Sequence, residues 1–146
     1  MKTNVYIFDI DGTLADCSHR VKYIDGSLGY KDWDKFYGLC GEDKPIEDVC
    51  RIFREIGYDV ICVTGRTEKY RDKTEKWLAD NDLPCSCLFM RPDGDHRPDY
   101  ALKREIYEKQ IKDDCVVLGV FEDRTQVVEM WRNLGLTCFQ VANGDY

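Results

Sequence analysis

The sequence lacks a long apolar run. Among its 146 residues no stretch approaches the roughly 20 apolar residues that a membrane-spanning helix needs. It also lacks the charged, apolar and small-residue series of a secretory signal peptide at its N-terminus. We therefore expect a cytoplasmic protein with no membrane association.

Positive charge is scarce as well. The chain carries 21 Lys and Arg against 28 Asp and Glu, which gives a net charge of -7. Proteins that coat duplex DNA need many cations to neutralise phosphates, so this class is excluded. A site that grips a single phosphate remains compatible with the composition.

No CxxC pair occurs, although the chain has eight cysteines. A disulfide scaffold is not expected, because the secretory context of such scaffolds is missing. The spacing of Cys85 and Cys87 is too tight for the usual zinc site. Cys62, Cys115 and Cys138 lie in or beside apolar runs and are expected to be small buried hydrophobes.

Strand and helix patterns alternate along the chain. Near-continuous apolar runs are typical of strands covered on both faces of a parallel sheet. They predict five strands, at residues 4–10, 59–63, 87–90, 115–121 and 137–141.

Apolar residues at helical spacing fill the intervals. They predict helices over residues 46–53, 70–78, 100–111 and 127–134, the first with Pro45 in its opening turn. The alternation predicts one α/β three-layer domain over residues 1–146. Residues 16–44 form an irregular insertion rich in Gly, Asp and Tyr, which could lie over the end of the first strand.

Polar residues follow the predicted strands. Ligands of open parallel sheets bind outside the carboxyl ends of the strands, so these residues are expected to converge. They are Asp9-Ile10-Asp11-Gly12-Thr13, Thr64-Gly65-Arg66, Arg91 and Glu122-Asp123-Arg124.

The acidic residues indicate phosphate chemistry. Asp9 and Asp123, brought close together, repel unless a cation lies between them, and Mg²⁺ prefers oxygen ligands. Asp9 could then attack phosphorus and form an aspartyl-phosphate. Asp11 could protonate the leaving alcohol and afterwards activate water. Lys103 could neutralise charge between the phosphate and the nucleophile.

The second strand end supplies donors for the same reaction. The Thr64 hydroxyl and the amide of Gly65 could bind the oxygens of the transferring phosphoryl group.

These motifs resemble those of the haloacid dehalogenase (HAD) superfamily. The stretch from Asp9 to Thr13 is similar to its first motif, Thr64 to the second, Lys103 to the third, and Glu122-Asp123 to the fourth. The resemblance implies a Rossmann-like domain with a central, mainly parallel sheet of about five strands and a small cap insertion. It also implies aspartyl-phosphate hydrolase activity.

A closer resemblance covers nearly the whole chain. It is to the 3′-phosphatase domains of bacteriophage polynucleotide kinase-phosphatases. The similar stretches are Thr64-Gly65-Arg66, Thr74-Glu75-Lys76-Trp77, Arg91 with Gly94-Asp95-His96-Arg97, Asp99 with Lys103, the run from Asp123 to Arg132, and Gln140-Val141-Ala142 with Gly144-Asp145.

This resemblance implies removal of 3′-phosphates from nucleic-acid ends or 3′-nucleotides. It implies Mg²⁺ held by Asp9, Asp123 and the main-chain carbonyl of Asp11. The residues that it implies for binding phosphate or nucleotide are Arg20, Arg66, Arg91, Asp99 and Arg124.

The chain departs from these relatives at two points. Glu122 stands where the family carries Asp, so the role of this second carboxylate stays open. No segment reads GxxxxGK[ST], the phosphate-binding loop of kinases, so a kinase activity would come from another chain.

Two other functions stay open. A 5′(3′)-nucleotidase or small-metabolite HAD phosphatase would use the same chemistry, and a receiver-like signalling domain also surrounds a phosphorylated Asp with acids, Thr and Lys. The insertion also contains four aromatic residues that could stack on a nucleobase or form a small satellite core. They are Tyr23, Tyr30, Trp33 and Tyr37. Trp131 is expected in the main core.

Overall fold

A computed structural model describes residues 1–144 of the chain. The seven strands are β1 (Thr3–Phe8), β2 (Ala15–Asp16), β3 (Lys44–Pro45), β4 (Asp59–Thr67), β5 (Cys87–Arg91), β6 (Cys115–Glu122) and β7 (Cys138–Gln140). Five of them form one parallel sheet in the order β5-β4-β1-β6-β7. The predicted five-stranded parallel sheet is confirmed, with β1 at its centre.

The strand β4 is longer than its apolar run predicts. It continues to Thr67, so Thr64, Gly65 and Arg66 lie within the strand rather than after it. Its pairing with β5 shifts register between Val63 and Thr67. At this irregular strand end the carbonyl of Gly65 accepts hydrogen bonds from the side chains of Tyr37 and Arg91.

Five α-helices connect the strands. They are α1 (Trp33–Gly38), α2 (Glu47–Glu55), α3 (Arg71–Asp80), α4 (Asp99–Ile106) and α5 (Thr125–Asn133). The expected position of Pro45 in the first turn of a helix is wrong, because Pro45 pairs with Ala15 in β3. The predicted helix over 100–111 is divided, since residues Tyr107–Ile111 form a π-helical turn after α4.

Side chains alternate between two core layers. Phe8 of β1 packs in the cluster that includes Phe53 of α2 and Trp77 of α3. On the other face, Ile7 packs in the cluster that includes Trp131 of α5. Helices therefore cover both faces of the sheet, which confirms the three-layer arrangement and the core position of Trp131.

The insertion of residues 16–44 forms a small cap. It contains the 3₁₀ helix Ser18–Tyr23, α1 and the 3₁₀ turn Cys40–Glu42, and the antiparallel pair β2–β3 closes it. Tyr37 of α1 donates a hydrogen bond from its hydroxyl to the carbonyl of Gly65, at 3.0 Å. The cap is thereby attached to the carboxyl end of β4.

All eight cysteines are free thiols. Cys62 and Cys138 are buried, as predicted, whereas Cys115 is only partly covered. Within residues 1–144, no helix has both the length and the apolar character that crossing a bilayer requires. Asp145, part of the C-terminal stretch discussed above, lies outside the described residues.

Candidate active site

The polar strand ends converge at one edge of the sheet. Asp9 follows β1, Asp123 follows β6, and both strands run parallel with β4. A cavity of about 970 Å³ opens at this edge. Its lining contains nine of the predicted site residues: Asp9, Asp11, Thr64, Gly65, Arg91, Asp99, Lys103, Asp123 and Arg124.

Asp9 is buried at the base of this cavity. One oxygen of its carboxylate, Oδ1, accepts a hydrogen bond from Lys103 Nζ at 2.7 Å. The other, Oδ2, accepts from Thr13 Oγ1 at 3.0 Å, and the same hydroxyl lies 3.4 Å from Asp123 Oδ1. The site is therefore assembled from a strand end, the turn that follows it, and helix α4.

Burial, followed by the negative charge of Glu122, raises the pKa of Asp9 well above its usual value. Lys103 opposes this shift only in part, and Asp123 adds to it. Lys103 itself stays protonated, because the carboxylates of Asp9 and Glu122 raise its pKa although burial acts in the opposite direction. Asp9 is thus an acid whose ionised form depends on nearby positive charge.

Glu122 completes an acidic trio with Asp9 and Asp123. Ligand atoms of the three carboxylates lie within 4.8 Å of one another. Lys103 Nζ donates to Glu122 Oε2 at 3.0 Å as well as to Asp9. The donor set is all oxygen, and mutual repulsion raises the pKa of Asp9, so the trio fits a hard divalent cation such as Mg²⁺.

Asp11 faces two arginines. Its Oδ1 accepts from Arg20 Nη2 at 2.5 Å and from Arg66 Nη2 at 2.6 Å. Burial would raise the pKa of Asp11, but the charges of Arg66 and Arg20 outweigh burial and hold it at about 2. The carboxylate is therefore ionised and fixed in orientation near neutral pH.

Arg20 and Arg66 are placed differently from what the resemblance implies. Both side chains are completely buried, and neither lines the cavity. Their guanidinium groups donate to the carboxylates of Asp11 and Asp43. Their role in phosphate binding stays a prediction, and the contacts present in the structure orient Asp11.

Sequence reasoning missed Asp43. Its fully buried carboxylate accepts from Arg20 Nε at 2.8 Å, from Arg20 Nη2 at 2.6 Å and from Arg66 Nη2 at 3.3 Å, and His19 Nε2 lies 2.7 Å away. Asp43 lies at the end of the irregular insertion, where no periodicity marks a buried position. Thr13 was also missed as a site residue, although the DxDGT stretch contains it.

Arg91, Asp99 and Arg124 form an ion-paired row along one side of the cavity. Asp99 Oδ1 accepts from Arg91 Nη2 at 2.5 Å, and Asp99 Oδ2 accepts from Arg124 Nη1 at 3.0 Å. Arg91 also donates from Nε to the carbonyl of Gly65, at 2.9 Å. Asp99 lies one turn of α4 before Lys103, and its carboxylate oxygens accept hydrogen bonds from these two arginines.

Gly65 is required by this close packing. A Cβ at position 65 would lie 2.7 Å from Asp99 Oδ1. We expect Gly65→Ala to displace Asp99, to destabilise the fold by about 1–3 kcal/mol as overpacking does, and to raise KM for phosphorylated substrates. Denaturant unfolding and steady-state kinetics measure both effects.

The matched control is Gly38→Ala, at a glycine with no atom within 4 Å of the added Cβ. We expect its stability to stay within about 0.5 kcal/mol of the parent. Equal behaviour of the two alanine variants would contradict the role of Gly65.

The aromatic residues of the cap divide between the two predicted roles, a satellite core and a surface on which a nucleobase could stack. Tyr37 is buried and packs against Phe36, so it belongs to a satellite core. Trp33 and Tyr30 are exposed and line the cavity. Tyr23 lies apart from them, with Lys22 and Lys35 over its ring.

Comparisons with known proteins agree with this geometry. The profile of the family described as "Polynucleotide kinase PNKP phosphatase domain" matches residues 3–146. A protein of Autographa californica nuclear polyhedrosis virus, whose name describes a putative bifunctional polynucleotide kinase/RNA ligase, is 32% identical in an alignment of 144 residues. The alignment covers 94% of this chain and 19% of that protein.

Two solved structures are also similar to this chain. A chain of the Pnkp1/Rnl/Hen1 RNA repair complex superposes with a TM-score of 0.86 at 32% identity, over 99% of this chain and 44% of that one. L-2-haloacid dehalogenase from Xanthobacter autotrophicus shares the fold, with a TM-score of 0.55 at 14% identity over 97% of this chain and 78% of its own. The chain therefore spans about a fifth of the viral relative and less than half of the repair-complex chain.

Proposed function

This chain belongs to the polynucleotide kinase PNKP phosphatase domain family, and on that premise we propose that it removes 3′-phosphates from nucleic-acid ends or 3′-nucleotides. Family membership and the HAD fold establish a phosphatase domain. They set aside a receiver-like signalling domain. The single observation that carries the proposal is the position of Asp9 at the base of the cavity. There Asp9 accepts a hydrogen bond from Lys103 and lies beside Glu122 and Asp123.

In the proposed first step, an Asp9 carboxylate oxygen forms a bond to phosphorus. The bond between phosphorus and the ester oxygen breaks, and that oxygen takes a proton from Asp11 to leave as the 3′-hydroxyl. Lys103 acts to lower the pKa of Asp9, in part against the effect of burial, and it offsets negative charge beside the phosphoryl group. Thr64 and Gly65 line the same cavity, which supports binding of the phosphoryl oxygens by the Thr64 hydroxyl and the Gly65 amide.

In the second step, Asp11 takes a proton from a water molecule, whose oxygen attacks phosphorus and releases phosphate from Asp9. The ionised state of Asp11 suits this step directly, since Arg66 and Arg20 hold its pKa at about 2. The first step needs its protonated form. The negative charge of a bound phosphate raises a nearby carboxyl pKa and so favours that form.

We propose Mg²⁺ as the cation of the acidic trio, because the donors are all carboxylate oxygens. Asp9 and Asp123 would hold it, together with the main-chain carbonyl of Asp11, as the resemblance implies. When bound, it would reduce the repulsion between an incoming phosphate and these carboxylates. The carboxylate of Glu122 is engaged by Lys103, which supports a role in keeping that ammonium in place.

Removing Asp123 tests the metal site. We expect Asp123→Ala to raise the Mg²⁺ concentration for half-maximal activity by at least about tenfold, because loss of even an outer partner of a metal ligand costs that much. The stabilisation that Mg²⁺ gives against thermal unfolding should shrink in parallel.

The control variant is Asp113→Ala, at an exposed position that does not line the cavity. We expect it to keep the Mg²⁺ dependence of the parent. An Asp123→Ala variant with unchanged Mg²⁺ dependence in both measurements would refute the assignment.

Substrate identity is tested by phosphate release. We expect release from a 3′-phosphorylated oligonucleotide with Mg²⁺ and none after chelation of divalent ions. The panel includes 2′,3′-cyclic ends, free mononucleotides and 5′-phosphorylated oligonucleotides. A strong preference for 5′-monophosphates or small metabolites would support the nucleotidase alternative and refute the 3′-end proposal.

A kinase partner also belongs to the proposal. The viral relative carries polynucleotide kinase and RNA ligase in its name, and the repair-complex chain is longer than this one. We propose that a ligase activity joins the 3′-hydroxyl made here and that a kinase activity phosphorylates the 5′ end, both carried outside these 146 residues.

A further inference from the structure

Trp33 is one of two exposed aromatic side chains, with Tyr30, that the cap presents to the cavity. It begins α1, remains 47% exposed, and lines the same cavity as Asp9 and Lys103. Leaving the indole of Trp33 exposed to water costs free energy, because the burial of an aromatic side chain is favourable. Such a surface is suited to a flat apolar group on a ligand.

The indole is held in place from within the cap. It stacks on Tyr37 with ring centroids 5.8 Å apart and an interplanar angle of 29°, and it meets Phe36 edge-on at 5.9 Å. The Tyr37 hydroxyl donates a hydrogen bond to the Gly65 carbonyl. The Arg20 guanidinium carbon lies 4.4 Å from the centroid of the Phe36 ring. Trp33 is therefore fixed relative to the residues around Asp9 before any ligand binds.

Two cations of the cavity rim, Lys69 and Arg97, are already paired with carboxylates. Lys69 Nζ donates to Asp34 at 3.3 Å, and Arg97 Nη2 donates to Asp95 at 2.7 Å. The rim thus carries both signs of charge, in a chain of net charge -7. It does not form the continuous basic groove that follows a nucleic-acid backbone, so recognition of more than the terminal phosphate depends on other contacts.

We propose that Trp33 stacks on the base of the terminal nucleotide whose 3′-phosphate reaches Asp9. This rests on the proposed function and names its substrate more closely, as a 3′-phosphorylated nucleotide recognised through its base rather than a bare phosphomonoester. The occupant follows from the cavity itself, since the base is covalently joined to the phosphate that the acidic trio and Lys103 receive. A cavity of about 970 Å³ has room for a nucleotide.

The test uses two substrates that differ only in the terminal base. One is a single-stranded oligonucleotide with a 3′-phosphate, and the other has an abasic nucleotide at the same 3′ end. We expect the parent protein to prefer the first in kcat/KM by about 5- to 150-fold, the value of one base–aromatic stack. Trp33→Ala should reduce this preference towards one, and Trp33→Phe should keep most of it.

Both substrates are measured on the same preparation, so a loss of folded protein cancels in the ratio. Tyr58→Ala is the control, at a tyrosine 51% exposed next to the start of β4, on the opposite edge of the sheet. It should keep the parent's ratio.

A parent protein without preference for the base, or a Trp33→Ala variant with the parent's ratio, would overturn the stacking role while leaving 3′-phosphatase activity intact. Loss of the preference in Tyr30→Ala alone would overturn it too. Absence of phosphate release from both substrates with Mg²⁺ present would overturn the proposed function and this inference with it.

Discussion

Asp9→Asn is expected to abolish phosphate release, to the detection limit, while the fold is retained. The amide keeps the shape of the side chain and can still accept from Lys103, but it cannot form the bond to phosphorus. Phosphate release from a 3′-phosphorylated oligonucleotide measures the loss, and circular dichroism verifies the fold.

The stability of Asp9→Asn should stay equal to or rise above that of the parent, although its activity is lost. Burial and the charges of Glu122 and Asp123 raise the pKa of Asp9, so its ionised form at neutral pH disfavours the folded state. Without divalent ions, the unfolding midpoint of Asp9→Asn should equal or exceed that of the parent.

Asp59→Asn, at an exposed position at the start of β4, is the matched control and should keep full activity. Appreciable turnover by Asp9→Asn would contradict the role of Asp9 as nucleophile. Loss of activity together with loss of the fold would contradict the expected stability.

Asp43→Ala is expected to lower the free energy of unfolding by about 3–5 kcal/mol, the cost of breaking a buried ion pair. Asp43 is the fully buried carboxylate between Arg20 and Arg66, and both arginines are completely buried. Its removal leaves two guanidinium groups with Asp11 as their remaining carboxylate partner. Denaturant unfolding measures the loss, which is large against the about 5–15 kcal/mol that stabilises a typical domain.

Asp48→Ala is the control for this prediction. The Asp48 side chain is 91% exposed and pairs only at the surface with Arg51, at 3.5 Å. Its removal should change stability by less than about 0.5 kcal/mol. Similar unfolding curves for the Asp43 and Asp48 variants would contradict a stabilising role of the buried network.

The arrangement around Asp9 could be predicted because it follows from local patterns. Apolar runs fixed the strands, and parallel strands place their carboxyl ends at one edge, which brings Asp9 and Asp123 together. Lys103 lies on α4, an amphipathic helix that begins at Asp99, one residue before the predicted start. Each of these positions depends on periodicity and strand direction, which neighbouring residues determine.

The network around Asp11 could not be predicted in the same way. Arg20 and Asp43 are 23 residues apart within an insertion without repeating pattern, and they meet only because the β2–β3 pair closes it. A buried arginine and a phosphate-binding arginine look alike in a sequence. The engagement of Glu122 by Lys103 likewise depends on how α4 packs on the sheet.

The covalent role of Asp9 is tested most directly by trapping the phosphorylated protein. The protein is mixed with an oligonucleotide carrying a radiolabelled 3′-phosphate, quenched rapidly in acid, and digested for peptide mapping. We predict label on the peptide that contains Asp9, released by hydroxylamine and absent from Asp9→Asn. Label on a different peptide, or turnover without any labelled protein, would contradict it.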